Sequence, residues 1–157
     1  MATNTLLQYL QADDGDGNAF TTLFSNRRQV ERFIASSAVA AGDIVCLDIT
    51  KTALGEKGLF VLPADRSSSD KVVAIGFAIA AAAANEEVDV TVAGLHKDAA
   101  VTTAIAAGAR LVAPDVAGGD TAGRAEEYTA SLSVPPIAYC VKTASGNQAD
   151  VFVIKQF

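Results

Sequence analysis

Apolar and polar side chains alternate along two stretches of the chain. Val88, Val90 and Val92 alternate with Asp89 and Thr91, and Tyr128, Ala130, Leu132 and Val134 alternate with Thr129, Ser131 and Ser133. A two-residue period puts successive side chains on opposite faces, so both stretches predict strands with one face buried and one in water. Shorter apolar runs bounded by turn residues predict further strands over residues 43–49, 58–62, 71–79, 109–113, 137–143 and 149–155. The last two are joined through Ser145-Gly146-Asn147-Gln148 as a hairpin. Turn signals recur roughly every 8 to 15 residues, the punctuation of a sandwich or barrel.

Residues 78–84 and 98–107 are rich in alanine, the strongest helix former, and each predicts at most one short helix or turn. Asp98 is placed to cap the second, with Val101 and Ile105 on one face and Gly108 as the stop. Ala40-Ala41-Gly42-Asp43-Ile44-Val45 is echoed by Ala106-Ala107-Gly108-Ala109-Arg110-Leu111-Val112, which predicts one kind of turn used twice to feed an apolar strand. The expected fold is mainly β: a small β-barrel or β-sandwich core over residues 34–157, with an extended N-terminal arm and at most one or two short helices.

Residues 1–33 read as that arm. They carry an apolar patch of Leu6, Leu7, Tyr9 and Leu10, a breaker run Asp13-Asp14-Gly15-Asp16-Gly17-Asn18, a second patch of Phe20, Leu23 and Phe24, and the cations Arg27, Arg28 and Arg32. Turn chemistry separates the two patches, and no long periodic element folds them onto a core. They call for a surface from elsewhere. An extended segment of this length reaches on the order of 100 Å, far beyond the radius of one domain, which suits contact between subunits.

The 157 residues suit one domain, and 50% apolar content with mean hydropathy +0.29 excludes a disordered tail. Lys and Arg number 12 against 18 Asp and Glu, for a net charge of −6, which disfavours nucleic acid and anionic lipid as partners. Cys46 and Cys140 lie far apart in apolar runs and read as reduced core thiols. The start lacks a basic leader, and the longest apolar stretch, 72–84, is too short for a membrane span, so a soluble protein made in a cytoplasm is expected.

The chemistry-bearing patterns are incomplete. Asp14, Asp16 and Asn18 open a calcium loop, but Ala19 stands where the turn glycine belongs and Ser25 where the bidentate Glu belongs. Gly15 and Gly17 begin a dinucleotide spacing that Phe20 ends. There is no phosphate loop and no nucleophile elbow, and the single histidine, His96, reads as a solvated turn residue. Glu86-Glu87 and Glu126-Glu127 read as solvent-facing charges, because neighbours on a strand point apart. The loops 65–70 and 118–124 read as mobile by composition. No enzyme activity, cofactor or metal is expected.

From about Val39 to Ala125 the chain resembles the capsid decoration, or cement, proteins of tailed bacteriophages. The resemblance is carried by Ala41-Gly42-Asp43-Ile44-Val45, by Val73-Ala74-Ile75-Gly76-Phe77-Ala78 leading to Ala84-Asn85-Glu86-Glu87-Val88-Asp89-Val90, by Val92-Ala93-Gly94-Leu95, and by Ala104-Ile105-Ala106-Ala107-Gly108-Ala109-Arg110-Leu111-Val112. Asn85 stands for the usual glycine of the second turn, and Ala109 for an acidic residue. The long N-terminal segment has no counterpart in many short relatives. The resemblance implies a homotrimer at the three-fold positions of an expanded shell, bound to the major capsid protein on the outer surface of the virion. The interface expected here comprises Leu6, Leu7, Tyr9, Leu10, Phe20, Leu23, Phe24, Arg27 and Arg28. The alternatives are another head or tail component, such as a head-completion or tail-tube subunit, and a carbohydrate-binding host-attachment module.

Overall fold

The computed structural model describes residues 28–71, 73–102, 104–129 and 134–154. Nine strands carry the fold: β1 (Gln29–Ala35), β2 (Ile44–Leu47), β3 (Phe60–Pro63), β4 (Ala74–Ala78), β5 (Glu87–Ala100), β6 (Arg110–Val112), β7 (Glu126–Glu127), β8 (Ala138–Ser145) and β9 (Gln148–Val153). One helix, α1 (Leu54–Lys57), and a 3-10 turn at Ser69–Lys71 complete the described elements.

The first five strands pair in the order β1-β3-β2-β4-β5, and β5 pairs back onto β1 to close a barrel. Only the β1–β3 pairing is parallel within it. The first half of β5 belongs to the barrel, and its second half begins another sheet, β5-β9-β8-β6-β7. The mainly β class and the barrel agree with the pattern of the sequence.

Two cores result, and β2 separates them. Val45 faces the barrel interior with Phe33, Val61, Ile75, Val88, Val90 and Val92. Ile44 and Cys46 face outward, where the second sheet covers them with Leu111, Ile137, Cys140, Val151 and Val153. Strands buried on both faces lose the polar half of the two-residue alternation, which is why residues 44–47 and 74–78 read as continuous apolar runs. Burial pushes the Cys46 thiol up to about 12 against the opposing pull of Lys71, so both faces of β2 hold neutral groups.

The bend that makes one strand serve both sheets lies at Gly94, where φ is +88°. In a straight strand, side chains five residues apart point to opposite faces roughly 16 Å apart. Here Thr91 Oγ1 and His96 Nδ1 meet at 3.0 Å, and Ala100 N–H donates to Gly42 O at 2.8 Å, so β5 turns back across the barrel wall. Gly76 allows the close crossing of β4 and β5, since a Cβ there would lie 2.1 Å from Thr91 O.

Several expectations are corrected. β1 begins inside the span read as arm: residues 29–33 pair with β5, and Phe33 fills the barrel. The alternating stretch 128–134 is not a strand at its start: the β6–β7 ladder ends at Glu127, and Tyr128 adds one last bond, its N–H donating to Arg110 O at 2.7 Å, where β6 itself begins. The rest of that stretch, 130–133, lies outside the described residues. Each alanine-rich segment runs into a turn, as expected, closed by Glu86 N–H to Ala83 O and by Ala109 N–H to Ala106 O, and holds no helix among the described residues. Ala82 instead exchanges two backbone hydrogen bonds with Val39, and Ala99 is wholly buried in β5, where small side chains let backbones approach. Asp98 adopts a left-handed φ of +59° at a bulge, a geometry no N-cap uses.

Among the described residues the repeated turn is present in four copies. Asp43 donates its N–H to Ala40 O, Glu86 to Ala83 O, Ala109 to Ala106 O and Arg124 to Thr121 O. The third residue of each, Gly42, Asn85, Gly108 and Gly123, has positive φ, as a type II turn requires.

Candidate interaction surface

Of the nine residues expected at an interface, Leu6, Leu7, Tyr9, Leu10, Phe20, Leu23, Phe24 and Arg27 lie outside the described residues. Arg28 is described and exposed, next to the point where β1 enters the barrel with Gln29 opposite Ala93.

A second apolar feature emerges on the outer face of the second sheet. Alternation sends Ala138, Cys140, Val151 and Val153 into the core and turns Tyr139 and Phe152 outward. These two aromatics are direct cross-strand partners, 43% and 44% exposed. Leu95 pairs with Phe152 on its other side, and Val141, 52% exposed, follows Tyr139 beyond a bulge. Arg110, opposite Tyr139, holds its guanidinium 4.8 Å above the Tyr128 ring. Large apolar groups exposed side by side on one sheet face mark a contact surface more than scattered ones do.

The sequence predicts strands over 137–143 and 149–155 and leaves the facing of Tyr139 and Phe152 unassigned. The signal that separates them was present: in both runs the small or β-branched neighbours occupy the alternate positions, so the aromatics fall on the other face.

His96 is corrected from a solvated turn residue to a core residue. It is 4% exposed, stacked on Phe77 with ring centroids 5.5 Å apart, and bonded to the buried Thr91. Burial pushes its imidazole down to about 4; the nearby Arg28 adds to this and Asp150 opposes it. A neutral ring held in this way supports the bend of β5.

The polar groups that sequence read as solvated form a brace between the two layers. Glu126 is half-buried and accepts from Arg66 Nε at 2.6 Å, while Arg66 also reaches Asp115 at 3.5 Å. Burial raises the Glu126 carboxyl despite Arg66, and Asp120 raises it further. The loop 65–70 is pinned, not free: Arg66 N–H donates to Pro114 O, and Asp65 accepts from the Ser67 hydroxyl, Ser67 N–H and Val116 N–H. Burial raises the Asp65 carboxyl less than these donors lower it. The 118–124 loop is anchored in the same way, with Gly123 O accepting from Ile44 N–H at 2.7 Å.

An open groove of about 550 Å³ runs between the turns, lined chiefly by Ala38, Val39, Ala40, Pro63, Ala82 and Ala122. A smaller polar cleft of about 160 Å³ lies by Asp98, Lys142 and Asp150. Among the described residues, no three of His, Cys, Asp and Glu come together as metal ligands.

With this geometry in place, one solved structure is informative. The fold is similar to that of the head fiber gp8.5 N base in bacteriophage phi29. The TM-score is 0.50 at 13% sequence identity, over 82% of this chain and 95% of that one. No protein-family model and no curated protein matches the chain. At this identity the likeness is one of fold.

Proposed function

We propose that the chain is a structural protein of a phage head: a decoration protein that binds the outer surface of the shell as a homotrimer and strengthens it, without catalytic activity. The observation that carries this reading is the fold shared with a phage head-fiber base over four-fifths of the chain. The resemblance of residues 39–125 to decoration proteins, the acidic charge and the exposed aromatic pair support it. The partners in this reading are the major capsid protein and further copies of the chain, which is made in the host cytoplasm and carried in the virion. Apolar area buried against the shell stabilises it at roughly 25 cal/mol per Å², by mass action on the assembled state.

Co-sedimentation of the purified protein with expanded, undecorated shells tests this, with bound copies counted per particle. Saturation at three copies per three-fold site, on shells that then resist heat, supports decoration. A ring of about six to twelve copies at one vertex indicates a connector instead, since ring closure fixes copy number by symmetry. A glycan-binding module is the second reading, favoured by the Tyr139–Phe152 ledge, since sugars stack on exposed rings. Binding to a glycan that Phe152→Ala abolishes, with no binding to shells, would establish it.

A further inference from the structure

We infer that the outer face of the second sheet of one copy packs against one end of the barrel of the next copy, so that a single contact between unlike faces closes the proposed homotrimer. Of the eight large apolar side chains exposed among the described residues, six fall into two groups. Tyr139, Val141 and Phe152 form the first, where the cross-strand pairs Leu95–Phe152 and Phe152–Tyr139 line up three strands of the second sheet over roughly 10 Å. Ile49, Leu59 and Val73 form the second. There Leu47 N–H donates to Val73 O and Asp48 N–H donates to Phe60 O at 2.8 Å, so the end of β2 gathers the starts of β4 and β3 at one rim of the barrel. The two groups share no strand, and apolar exposure gathered in this way marks contact surfaces.

Charge points the same way. On the elements around the first group, Lys97, Arg110 and Lys142 are matched by Asp98, Glu127 and Asp150. Around the second, Lys51, Lys57 and Lys71 are matched by Asp48, Glu56 and Asp70. Both faces are therefore neutral, and the whole net charge of −6 lies elsewhere on the chain. Copies that meet through these two faces bring apolar surface together without setting like net charge against like.

Symmetry decides the pairing. A contact of either group with itself joins two copies about a two-fold axis, and two such contacts on separate faces of one chain continue into an open row of copies. A contact of one group with the other repeats in a single sense and closes as a ring, as three copies require. The inference deepens the homotrimer reading and rests on it. No residue before Gln29 takes part, so this contact adds to any made by the N-terminal segment.

The test uses the full chain and no shell, read by sedimentation equilibrium. Phe152→Asp with Val141→Asp puts charge on the first face, and Leu59→Asp with Val73→Asp puts it on the second. Each variant alone should lose at least about thirtyfold in association constant, since central contacts of an interface carry most of its energy. Mixed together, the two variants should form a one-to-one pair that grows no further, because each supplies the intact face the other lacks. That pair also shows that both variants fold; Tyr139→Ser and Ile49→Ser repeat the test if either fails to. A trimer unchanged in both variants would overturn the inference and leave the homotrimer standing. Two variants that associate no better mixed than apart would overturn it as well, and an unsubstituted chain that stays monomeric would overturn it together with the homotrimer.

Discussion

A buried carboxylate costs free energy unless its oxygens are occupied, and Asp43 shows how this chain uses one. Its Oδ2 accepts from Ala40 N–H at 2.8 Å, bracing the turn that the same residue closes through its own N–H. Glu86 Oε2 accepts from Ala83 N–H at 2.9 Å and braces the second turn in the same manner. Burial holds the Asp43 carboxyl above the usual range, and the Ala40 N–H and Arg124 only partly offset it. The acceptor therefore matters more than the charge. Asp43→Ala leaves the Ala40 N–H without its acceptor and should cost about 1–3 kcal/mol in urea unfolding, whereas Asp43→Asn keeps an acceptor and should cost less than half as much. Equal losses in the two variants would show that the negative charge carries the effect. The first turn was legible as Ala41-Gly42-Asp43. The anchoring of Gly123 was not, because its partner, Ile44 N–H, lies 79 positions earlier and no local pattern records it.

At the level of the element, β5 decides the architecture, and His96 reports on its bend. The unfolded imidazole titrates near 6.5, and the folded one near 4, held down by burial and by Arg28. Between those values the unfolded chain binds the extra proton. The His96 contribution is therefore complete above pH 6.5 and declines as pH falls towards 4, by up to about 3 kcal/mol. His96→Gln should lie below the unsubstituted chain in stability at pH 7 and close that gap by pH 4.5, read by urea unfolding at several pH values. Comparing the two chains cancels Asp43 and Glu126, whose raised carboxyls act with the opposite sign. Asp48 and Asp65, held low by hydroxyl and amide donors that outweigh their burial, act only below about pH 4. A gap constant across the whole range would mean that the ring is not buried. Residues 88–92 were legible as strand because that half of β5 alternates. The continuation to Ala100 was not, since a kink at Gly94 and a bulge at Asp98 break the period. The alanine-rich segments resolve to turn and strand instead of helix for a related reason: helix propensity is a local term, and close backbone approach at Ala82 and Ala99 overrode it.

For the whole molecule, charge and apolar contact pull against each other. Each copy carries −6, so three copies brought together repel, and only short-range burial or specific ion pairs can hold them. The charged groups described at the barrel surface are largely consumed within one copy: Arg32 is paired with Asp89 at 2.8 Å and Glu87 at 3.1 Å, and Arg66 with Glu126. In the proposed trimer the attraction between copies is then assigned to the apolar side chains Leu6, Leu7, Tyr9 and Leu10. Added salt shortens the Debye length from about 30 Å at 0.01 M to about 8 Å at 0.15 M and so weakens the repulsion, while leaving apolar burial in place. The trimer fraction at fixed protein concentration should therefore rise over that range in sedimentation equilibrium. Leu6→Ser with Leu7→Ser and Leu10→Ser should lower it at least about tenfold in association constant, because each buried leucine contributes roughly 1.5–3 kcal/mol. The salt trend should keep its direction in that variant, since the repelling charges are untouched. A trimer that dissociates as salt rises would be held by ion pairs across copies, and the assembly would then have to be sought among Arg27, Arg28 and the Asp13–Asp16 run instead of the leucines.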